Sequence, residues 1–472
     1  MRKISLFLFP FLLSACAVGP DYKEAPSLDI RQNYKASTLP EWSQSTNDWV
    51  QITQDDLSQG DWWRRFHDST LNTLMAELNQ SNFQIEQALA SYDVALASLR
   101  SSRAGLFPAL NTNASATRSG GDNQITNSAY SGSISAAWEL DLWGKIRREV
   151  QASKASAQAS AAELANMKLS LQGQLAKAYF NLRLVDAELD LLNRIVGSNE
   201  RSLKVNENRY QQGVSARADV VSAMSALERA RVSAINMKAS RQQYESTIAV
   251  LLGKAPSQFS LTPEPFMANI PTVPVLLPSA LLVRRPDIYI AERAVAKANE
   301  EIGIAQSAWL PTLNLSASTG LRESSFSDWL SAPLNFWSLG PALALSIFDG
   351  GTRQAAIASS KAEYRGRVAA YRQTVLNALK EVEDKMTLIS VLNEQALAQQ
   401  RALSSAQEFA KITRNQYLAG LVDYLSVTQA EDTANNTEIS TLQLNNQRLE
   451  ATIDLIMALG GGWSVSHDST NQ

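Results

Sequence analysis

Ser133-Ile134-Ser135-Ala136-Ala137-Trp138-Glu139-Leu140-Asp141-Leu142 is apolar at every even position and polar or small at every odd one. A period of two belongs to a β-strand with one greasy and one wet face. A second stretch repeats the pattern with inverted parity: Trp337, Leu339, Leu343, Leu345 and Ile347 alternate with Ser338, Gly340, Ala342, Ala344 and Ser346. Weaker alternation precedes each strand. Leu110, Thr112, Ala114 and Ala116 oppose Asn111, Asn113, Ser115 and Thr117, and Leu313, Leu315 and Ala317 oppose Asn314, Ser316 and Ser318. Loops around Gly120-Gly121-Asp122-Asn123 and Ser324-Ser325-Phe326-Ser327 join the members of each pair. The pattern predicts two hairpins, at about 109–143 and 312–348.

The strands sit inside a tandem duplication. Phe107-Pro108 recurs as Leu310-Pro311, and Gly144 and Arg147 recur as Gly350 and Arg353. Tyr210, Gly213, Ala223 and Leu252-Gly253 recur as Tyr417, Gly420, Ala430 and Leu459-Gly460, a shift of 207. Proline punctuates the same plan: none of the 15 lies between Pro108 and Pro256, seven fall within 256–286, and none follows Pro341. The expected organisation is a first repeat over 61–255, a proline-rich connector over 256–286, a second repeat over 287–462 and a polar tail over 463–472.

Within each repeat the proline-free stretch reads as helix. Leu164, Met167, Leu171, Leu175, Ala178, Leu182, Val185, Leu189, Leu192 and Val196 follow at three- and four-residue spacing, the seam of a coiled coil. Leu376, Leu379, Val382, Met386, Ile389, Leu392 and Ala396 repeat it. A helix over 145–209 is about 98 Å long at 1.5 Å per residue, a rod rather than a globular helix. Shorter helices are predicted over 70–104, 216–252, 287–307 and 424–459. The first two sum to about 108 Å, slightly more than the long one, and can stack end to end beside it.

At the N-terminus, Arg2 and Lys3 precede an apolar run, Ile4 to Leu13, with the length of a signal-peptide core and too short to span a membrane. Residues 1–15 are therefore expected to be removed. The run ends in Leu13-Ser14-Ala15-Cys16, which resembles a bacterial lipobox; Cys16, the only cysteine, is the expected lipid attachment site. Ala17 rather than Asp follows it, which by resemblance to sorting rules implies the outer membrane. Residues 16–60 read as a lipidated extended arm.

That address changes the meaning of the strands. Alternation alone fits a soluble sheet packed on a core. Strands of about ten residues with terminal Trp in an exported lipoprotein fit a transmembrane barrel better. Four strands cannot close a barrel, and lipid does not tolerate an open edge, so the chain must oligomerise. Two copies supply eight strands and a filled lumen; three supply twelve and a channel.

The motifs are then specific. Val18-Gly19-Pro20-Asp21-Tyr22, Trp62-Trp63 with Phe66 and Asp68, Trp138-Glu139-Leu140-Asp141-Leu142-Trp143-Gly144, Arg284-Arg285-Pro286-Asp287-Ile288, Phe348-Asp349-Gly350-Gly351 and Leu459-Gly460-Gly461-Gly462-Trp463 occur in order along nearly the whole mature chain. The set resembles the TolC-like outer membrane factors, in the lipoprotein branch of OprM and NodT type. The resemblance implies a mixed α/β membrane protein: a homotrimeric, 12-stranded antiparallel β-barrel, four strands per chain, continuous with a periplasmic α-helical coiled-coil barrel. It also implies a passive outer-membrane channel of a tripartite efflux system, opened by a periplasmic adaptor (membrane fusion protein) and driven by an inner-membrane pump of the resistance-nodulation-division type. Asp68-Ser69 stands where the family often has Asp-Pro, a change that touches a helix start only.

Candidate site residues follow from this plan. Trp138, Leu140, Leu142, Trp337, Leu339, Leu343 and Leu345 are the expected lipid-facing set. The hairpin tips, Tyr210 to Asp219 and Tyr417 to Asp423, are the expected periplasmic entrance, with Gly213 and Gly420 reversing the chain and Tyr210 and Tyr417 packing the tips. A ring of carboxylates there attracts cations in a narrow constriction. Asp423 is the first candidate and Asp219 the second, although the family often has its acid where Val422 stands here. Each can instead be an N-cap; both readings stand for Asp423, and the cap leads for Asp219.

Other classes fit less well. The 43 basic and 46 acidic residues give a net charge of −3, with no basic domain for nucleic acid. One cysteine and two histidines, His67 and His467, offer no disulfide, metal site, cofactor site or catalytic set. A structural or adhesive coiled-coil lipoprotein without pore activity explains the lipobox and the seam but not the four strands. A periplasmic adaptor has one helical hairpin and no tandem duplication.

Overall fold

The structure, a computed structural model, describes residues 17–26, 28, 60–122, 124–266, 269–271, 284–331, 333–334 and 336–463. Cys16, the signal segment and His467 lie outside the described residues, as does most of the predicted arm. The helices are α1 (Ser69–Ser81), α2 (Phe83–Ala104), α3 (Lys145–Gln211), α4 (Arg217–Leu251), α5 (Pro286–Ser307), α6 (Phe326–Ser331), α7 (Thr352–Leu418) and α8 (Tyr424–Ala458). The strands are β1 (Ala109–Gly121), β2 (Gln124–Leu140), β3 (Thr312–Glu323) and β4 (Phe336–Ala344). Two compact units result, and they do not follow the two repeats. One draws on the arm up to Leu28, Leu89–Glu163 and Asp287–Thr374; the other holds the remainder, so each repeat contributes to both.

In the first unit the strands form one antiparallel sheet in the order β1-β2-β3-β4. The two predicted hairpins are thus fused, because β2 also pairs with β3, from Tyr130↔Glu323 to Leu140↔Leu313. The loop predicted between β3 and β4 contains the single-turn helix α6. β4 ends at Ala344, so Leu345 lies beyond it, and Leu142 lies beyond the end of β2.

The two long helices, α3 and α7, both begin in this unit, and they start on the same device. The Asp141 carboxylate accepts from the amides of Ile146 and Arg147, at 3.0 and 2.9 Å. One repeat later Asp349 accepts from the amides of Gly351 and Arg353, at 3.0 and 3.1 Å. In each case the arginine side chain closes back on its own carboxylate, Arg147 on Asp141 and Arg353 on Asp349. A carboxylate at a helix N-terminus satisfies free amides and meets the positive end of the helix dipole. The arm is fixed nearby. Arg148, buried, donates to the carbonyls of Val18, Gly19 and Pro20 at 2.7, 3.0 and 3.1 Å and pairs with Glu300 at 2.7 Å.

In the second unit the predicted seam residues Leu171, Leu175 and Leu182 of α3 pack in one hydrophobic core with Leu71, Met75 and Leu78 of α1, Ile248 and Leu252 at the end of α4, and Leu449 and Ile453 of α8. In α7 Val382, Met386, Ile389 and Leu392 are buried as the seam predicts, whereas Leu376 is half exposed and its neighbour Val375 is buried in its place. The predicted helix over 70–104 is broken at Asn82. Its backbone is extended, its side-chain oxygen accepts from the amides of Gln84 and Ile85, and its amide donates to the Leu251 carbonyl at 2.7 Å. One side chain thereby caps the start of α2 and the end of α4. Asp68, before α1, caps that helix through the Leu71 amide at 2.8 Å and accepts from the Tyr179 hydroxyl at 2.7 Å.

Candidate functional site

The predicted site residues fall in two regions, the sheet and the helix-hairpin tips. On the sheet, the register decides which side chains share a face. Trp138 lies opposite Leu315, Leu140 opposite Leu313, Leu313 opposite Leu343, Ala317 opposite Leu339 and Thr319 opposite Trp337. Trp138, Leu140, Trp337, Leu339 and Leu343 therefore occupy one face, with Leu110 and Ile134 on it as well. Leu142 and Leu345, past the strand ends, are not part of the ladder. Trp337 is 79% exposed, Leu339 74% and Leu110 74%, an apolar surface left open by the chain itself. The outer edges of β1 and β4 have no strand partner within the described residues.

The tips repeat one turn twice. After α3, the Gly213 amide bonds the Tyr210 carbonyl and the Val214 amide bonds the Arg209 carbonyl, with Gly213 at φ 71°. After α7, Gly420 and Leu421 bond Tyr417 and Gln416 in the same way, with Gly420 at φ 75°. Positive φ at the residue after a helix is where glycine is unstrained, so the predicted reversal role of both glycines has its geometry.

The two tips differ in their side chains. Tyr417 is buried against Ala223, Tyr424 and Val427, and partly buried Val422 packs against the same cluster. The Tyr417 hydroxyl donates to Asn206 Oδ1 at 2.8 Å, tying α7 to α3. The Arg209 guanidinium lies 4.7 Å from the Tyr417 ring centre, within cation–π range. Burial pushes the Tyr417 phenol above its ordinary pKa, so it stays a donor at neutral pH. Its repeat-mate Tyr210 is 42% exposed and does not pack the first tip as predicted.

The acids also differ. Asp423 is the N-cap of α8: its carboxylate accepts from the Ser426 amide at 2.8 Å and the Ser426 hydroxyl at 2.6 Å. Those two bonds, the hydroxyl first, hold its carboxyl below the ordinary range. Asp219 is not a cap. Ala216 occupies the N-cap of α4 without a side-chain bond, and Asp219 stands in the first turn, where its charge still meets the helix dipole. Asn206 and Arg209 escaped the sequence reading. The available signal was Asn206 itself, a polar residue at seam spacing between Leu203 and Tyr210, a position where polar groups set register. His67 ends the turn Trp62–Phe66 in left-handed conformation at φ 52° and is exposed.

No helix among the described residues is long and apolar enough to cross a membrane. A family model described as outer membrane efflux protein matches residues 74–254 and 277–461, one segment per repeat. The chain belongs to the outer membrane efflux protein family. Cation efflux system protein CusC of Escherichia coli O6:H1 is 29% identical over 467 residues, covering 98% of this chain and 99% of CusC. Outer membrane protein OprJ of Pseudomonas aeruginosa is 27% identical, covering 98% and 97%. Among solved structures, the outer-membrane channel OprN superposes with a TM-score of 0.86 at 28% identity, covering 95% of this chain and all of OprN. A CusC structure gives 0.83 at 28%. The protein is thus an outer membrane efflux channel that extends into the periplasm. The pore-free coiled-coil lipoprotein open in the sequence is set aside by these matches, which span the sheet as well as the helices.

Proposed function

We propose that three copies of this chain close their sheets into one twelve-stranded barrel and serve as the passive conduit of a tripartite efflux system. In this reading a periplasmic adaptor meets the hairpin tips and an inner-membrane pump of the resistance-nodulation-division type drives transport. The observation that carries it is the sheet: an exposed apolar face bounded by two strand edges, on β1 and β4, left open by the chain. In hydrocarbon each unpaired backbone group costs several kcal/mol, so these edges need partners, and β4 of one copy against β1 of the next removes every edge. Twelve strands leave a lumen, whereas eight fill with side chains. The apolar face then meets lipid and the Ser- and Asn-rich face lines the channel.

The arm fits the same picture. Ala17 packs against Gly144, four residues past the end of β2, and Arg148 holds Val18 to Pro20 there. A diacylglycerol on Cys16 would enter the bilayer at the rim of the barrel. At the tips, the Tyr417–Asn206 bond is the closing contact, with Asp423 and Asp219 as the acids of the entrance.

The test is assembly with conductance. Protein extracted from the outer membrane in mild detergent should migrate as a heat-labile trimer and form channels in a planar bilayer. A monomer that forms no channel overturns the proposal. Photocrosslinking from positions 418 and 421 in cells should capture a periplasmic adaptor, and capture of none removes the tripartite part.

A further inference from the structure

Where the chain leaves the sheet for the helices, the arm, the first turns of α3 and the middle of α5 enclose a cleft of about 350 Å³. Its walls carry four cations, Arg147, Arg148, Lys154 and Arg293, against two acids, Asp21 and Glu300. Ala17 belongs to the lining. Its Cα lies 3.1 Å from where a β carbon on Gly144 would stand, and Arg147 Nη2 lies 3.6 Å from the same point.

The four cations are not equivalent. Arg148 is fully engaged, with the three arm carbonyls, Glu300 at 2.7 Å and Asp21 at 3.2 Å. Arg293 Nη2 bonds Glu292 at 2.6 Å, and its Nη1 bonds Gln158 at 3.0 Å. Arg147 uses Nε and Nη2 on Asp141, and among the described residues its Nη1 has no partner. Asp141 and Glu292 do not line the cleft, so the charge on its walls is positive. Lys154, half-buried, has neither an ion pair nor a hydrogen bond among the described residues. It follows Arg147 by seven residues, two turns along the same face of α3, with the Gln151 amide between them. Unused donors on an ammonium, a guanidinium and an amide, gathered in one concavity, complement an anion with several acceptor oxygens.

The place of the cleft narrows the choice of anion. Gly144 is four residues past the end of β2, and the indoles of Trp138 and Trp143 bond the carbonyls of Leu106 and Pro311 at this level, at 3.1 and 2.7 Å. Tryptophan favours the membrane–water interface, and basic pockets at that depth take lipid headgroups. Ala17 also follows the expected lipid attachment site, so the cleft opens where that anchor enters the bilayer. We propose that it binds the phosphate group of a glycerophospholipid in the periplasmic leaflet. Lys154 and Arg147 are the cationic donors, and Arg148 holds the arm in place beside them. The choice of a lipid rests on the barrel and arm reading above. Free phosphate offers the same oxygens and is the other source of this chemistry.

Native mass spectrometry of the assembled, detergent-extracted protein tests it. The probe is phosphatidylglycerol, compared with diacylglycerol of the same acyl chains, which lacks the phosphate. Wild type should retain a single phosphatidylglycerol per chain, matching its cleft, and no diacylglycerol above background. Lys154→Gln should weaken retention about tenfold, the worth of one charge-assisted hydrogen bond, and Lys154→Glu should abolish it. Neither change removes a contact within the chain, so both proteins should fold. Lys361→Gln, exposed on α7 and outside the cleft, should bind as wild type does. Inorganic phosphate is then added as a competitor. Displacement of the lipid at equal concentration makes phosphate alone the ligand, and resistance to displacement makes it the lipid headgroup; either result supports a phosphate site and names its source. Equal retention by wild type and Lys154→Glu, or equal retention of the two lipids, overturns the inference. The same preparations are assayed for channels in a planar bilayer. Channels without retained phosphatidylglycerol sink this inference alone, whereas absence of channels removes the barrel reading and the lipid source with it.

Discussion

Gly460 lies under the carbonyl of Arg284 so closely that a β carbon added there would stand 2.0 Å from that oxygen. One repeat earlier Gly253 stands in the same relation to Ser81, with 2.5 Å between the added carbon and the carbonyl oxygen. Both glycines have positive φ, 90° and 69°, and both follow the end of a hairpin helix where it meets the start of the next one. Duplication has kept the joint because only glycine satisfies its two demands at once: left-handed backbone and no side chain. Gly460→Ala and Gly253→Ala should each cost at least about 2 kcal/mol, from backbone strain and displacement of the facing carbonyl. The check is the temperature at which the assembled protein dissociates. The Gly213→Ala variant is the control: φ is positive there too, but nothing lies within 4 Å, so its loss should be smaller.

The Tyr417–Asn206 bond gives a separate prediction about opening. Tyr417→Phe keeps the ring beneath Arg209 and removes only the hydroxyl that Asn206 accepts. One hydrogen bond between neutral groups is worth about 1 kcal/mol, which shifts a closed–open equilibrium about fivefold. Resting single-channel conductance should therefore rise in Tyr417→Phe and in Asn206→Ala, and the double variant should add little to either. Additive effects would mean that the bond is not the contact that closes the tip. Asp423→Ala is the contrasting case. If its carboxylate is only the cap of α8, resting conductance stays unchanged. Stability then falls above the ordinary carboxyl range and converges with wild type in acid, because its lowered pKa stabilises the fold only while it is ionised.

These contacts mark where the sequence stops being readable. Alternation and seam spacing are local properties, and they located the four strands and the long helices. The break at Asn82 was hidden because its partner, the Leu251 carbonyl, lies 169 residues away and nothing in the local composition forbids helix. Likewise Asn206 and Tyr417 are 211 residues apart. Fusion of the two hairpins through β2 and β3 is another distant pairing. The Asp219 misreading has a different origin: one turn of register separates an N-cap from a first-turn acid, and helix ends are not fixed that closely by composition.

Glu188 supplies a prediction about pH. It is buried, it accepts a hydrogen bond from the Gln443 amide at 2.9 Å, and desolvation raises its pKa above the ordinary carboxyl value. The folded chain then holds this proton more tightly than the unfolded chain, so the group destabilises the fold once pH rises beyond the unfolded carboxyl range. Glu188→Gln keeps an acceptor for Gln443 and removes the buried charge. Its thermal midpoint should exceed that of wild type at pH 8, and the gain should vanish as pH falls below about 4, where both states are protonated. A Glu188→Gln variant less stable than wild type at pH 8 would show that the charge has a partner that favours it.

The arm offers the last case. Arg148 donates to three successive carbonyls, Val18 to Pro20, and holds Glu300 in an ion pair whose side chains are 5% and 11% exposed. Removing the guanidinium leaves a nearly buried carboxylate and takes this donor from the Val18 and Gly19 carbonyls, while Pro20 keeps the Asn299 amide at 2.8 Å. Breaking one side of such a pair costs about 3–5 kcal/mol. Arg148→Ala should therefore free the arm while the helices stay folded. Exposed Lys23, just beyond the clamp, then becomes a faster site for trypsin in the assembled protein. Arg148→Lys restores charge but cannot reach three carbonyls and a carboxylate together, so its cleavage rate should lie between wild type and Ala. Equal rates in all three proteins would mean that the arm's other anchors, the Val18 amide on the Trp143 carbonyl at 3.0 Å, the Asn299 amide on Pro20 and the Tyr22 hydroxyl on Glu292, suffice to hold it.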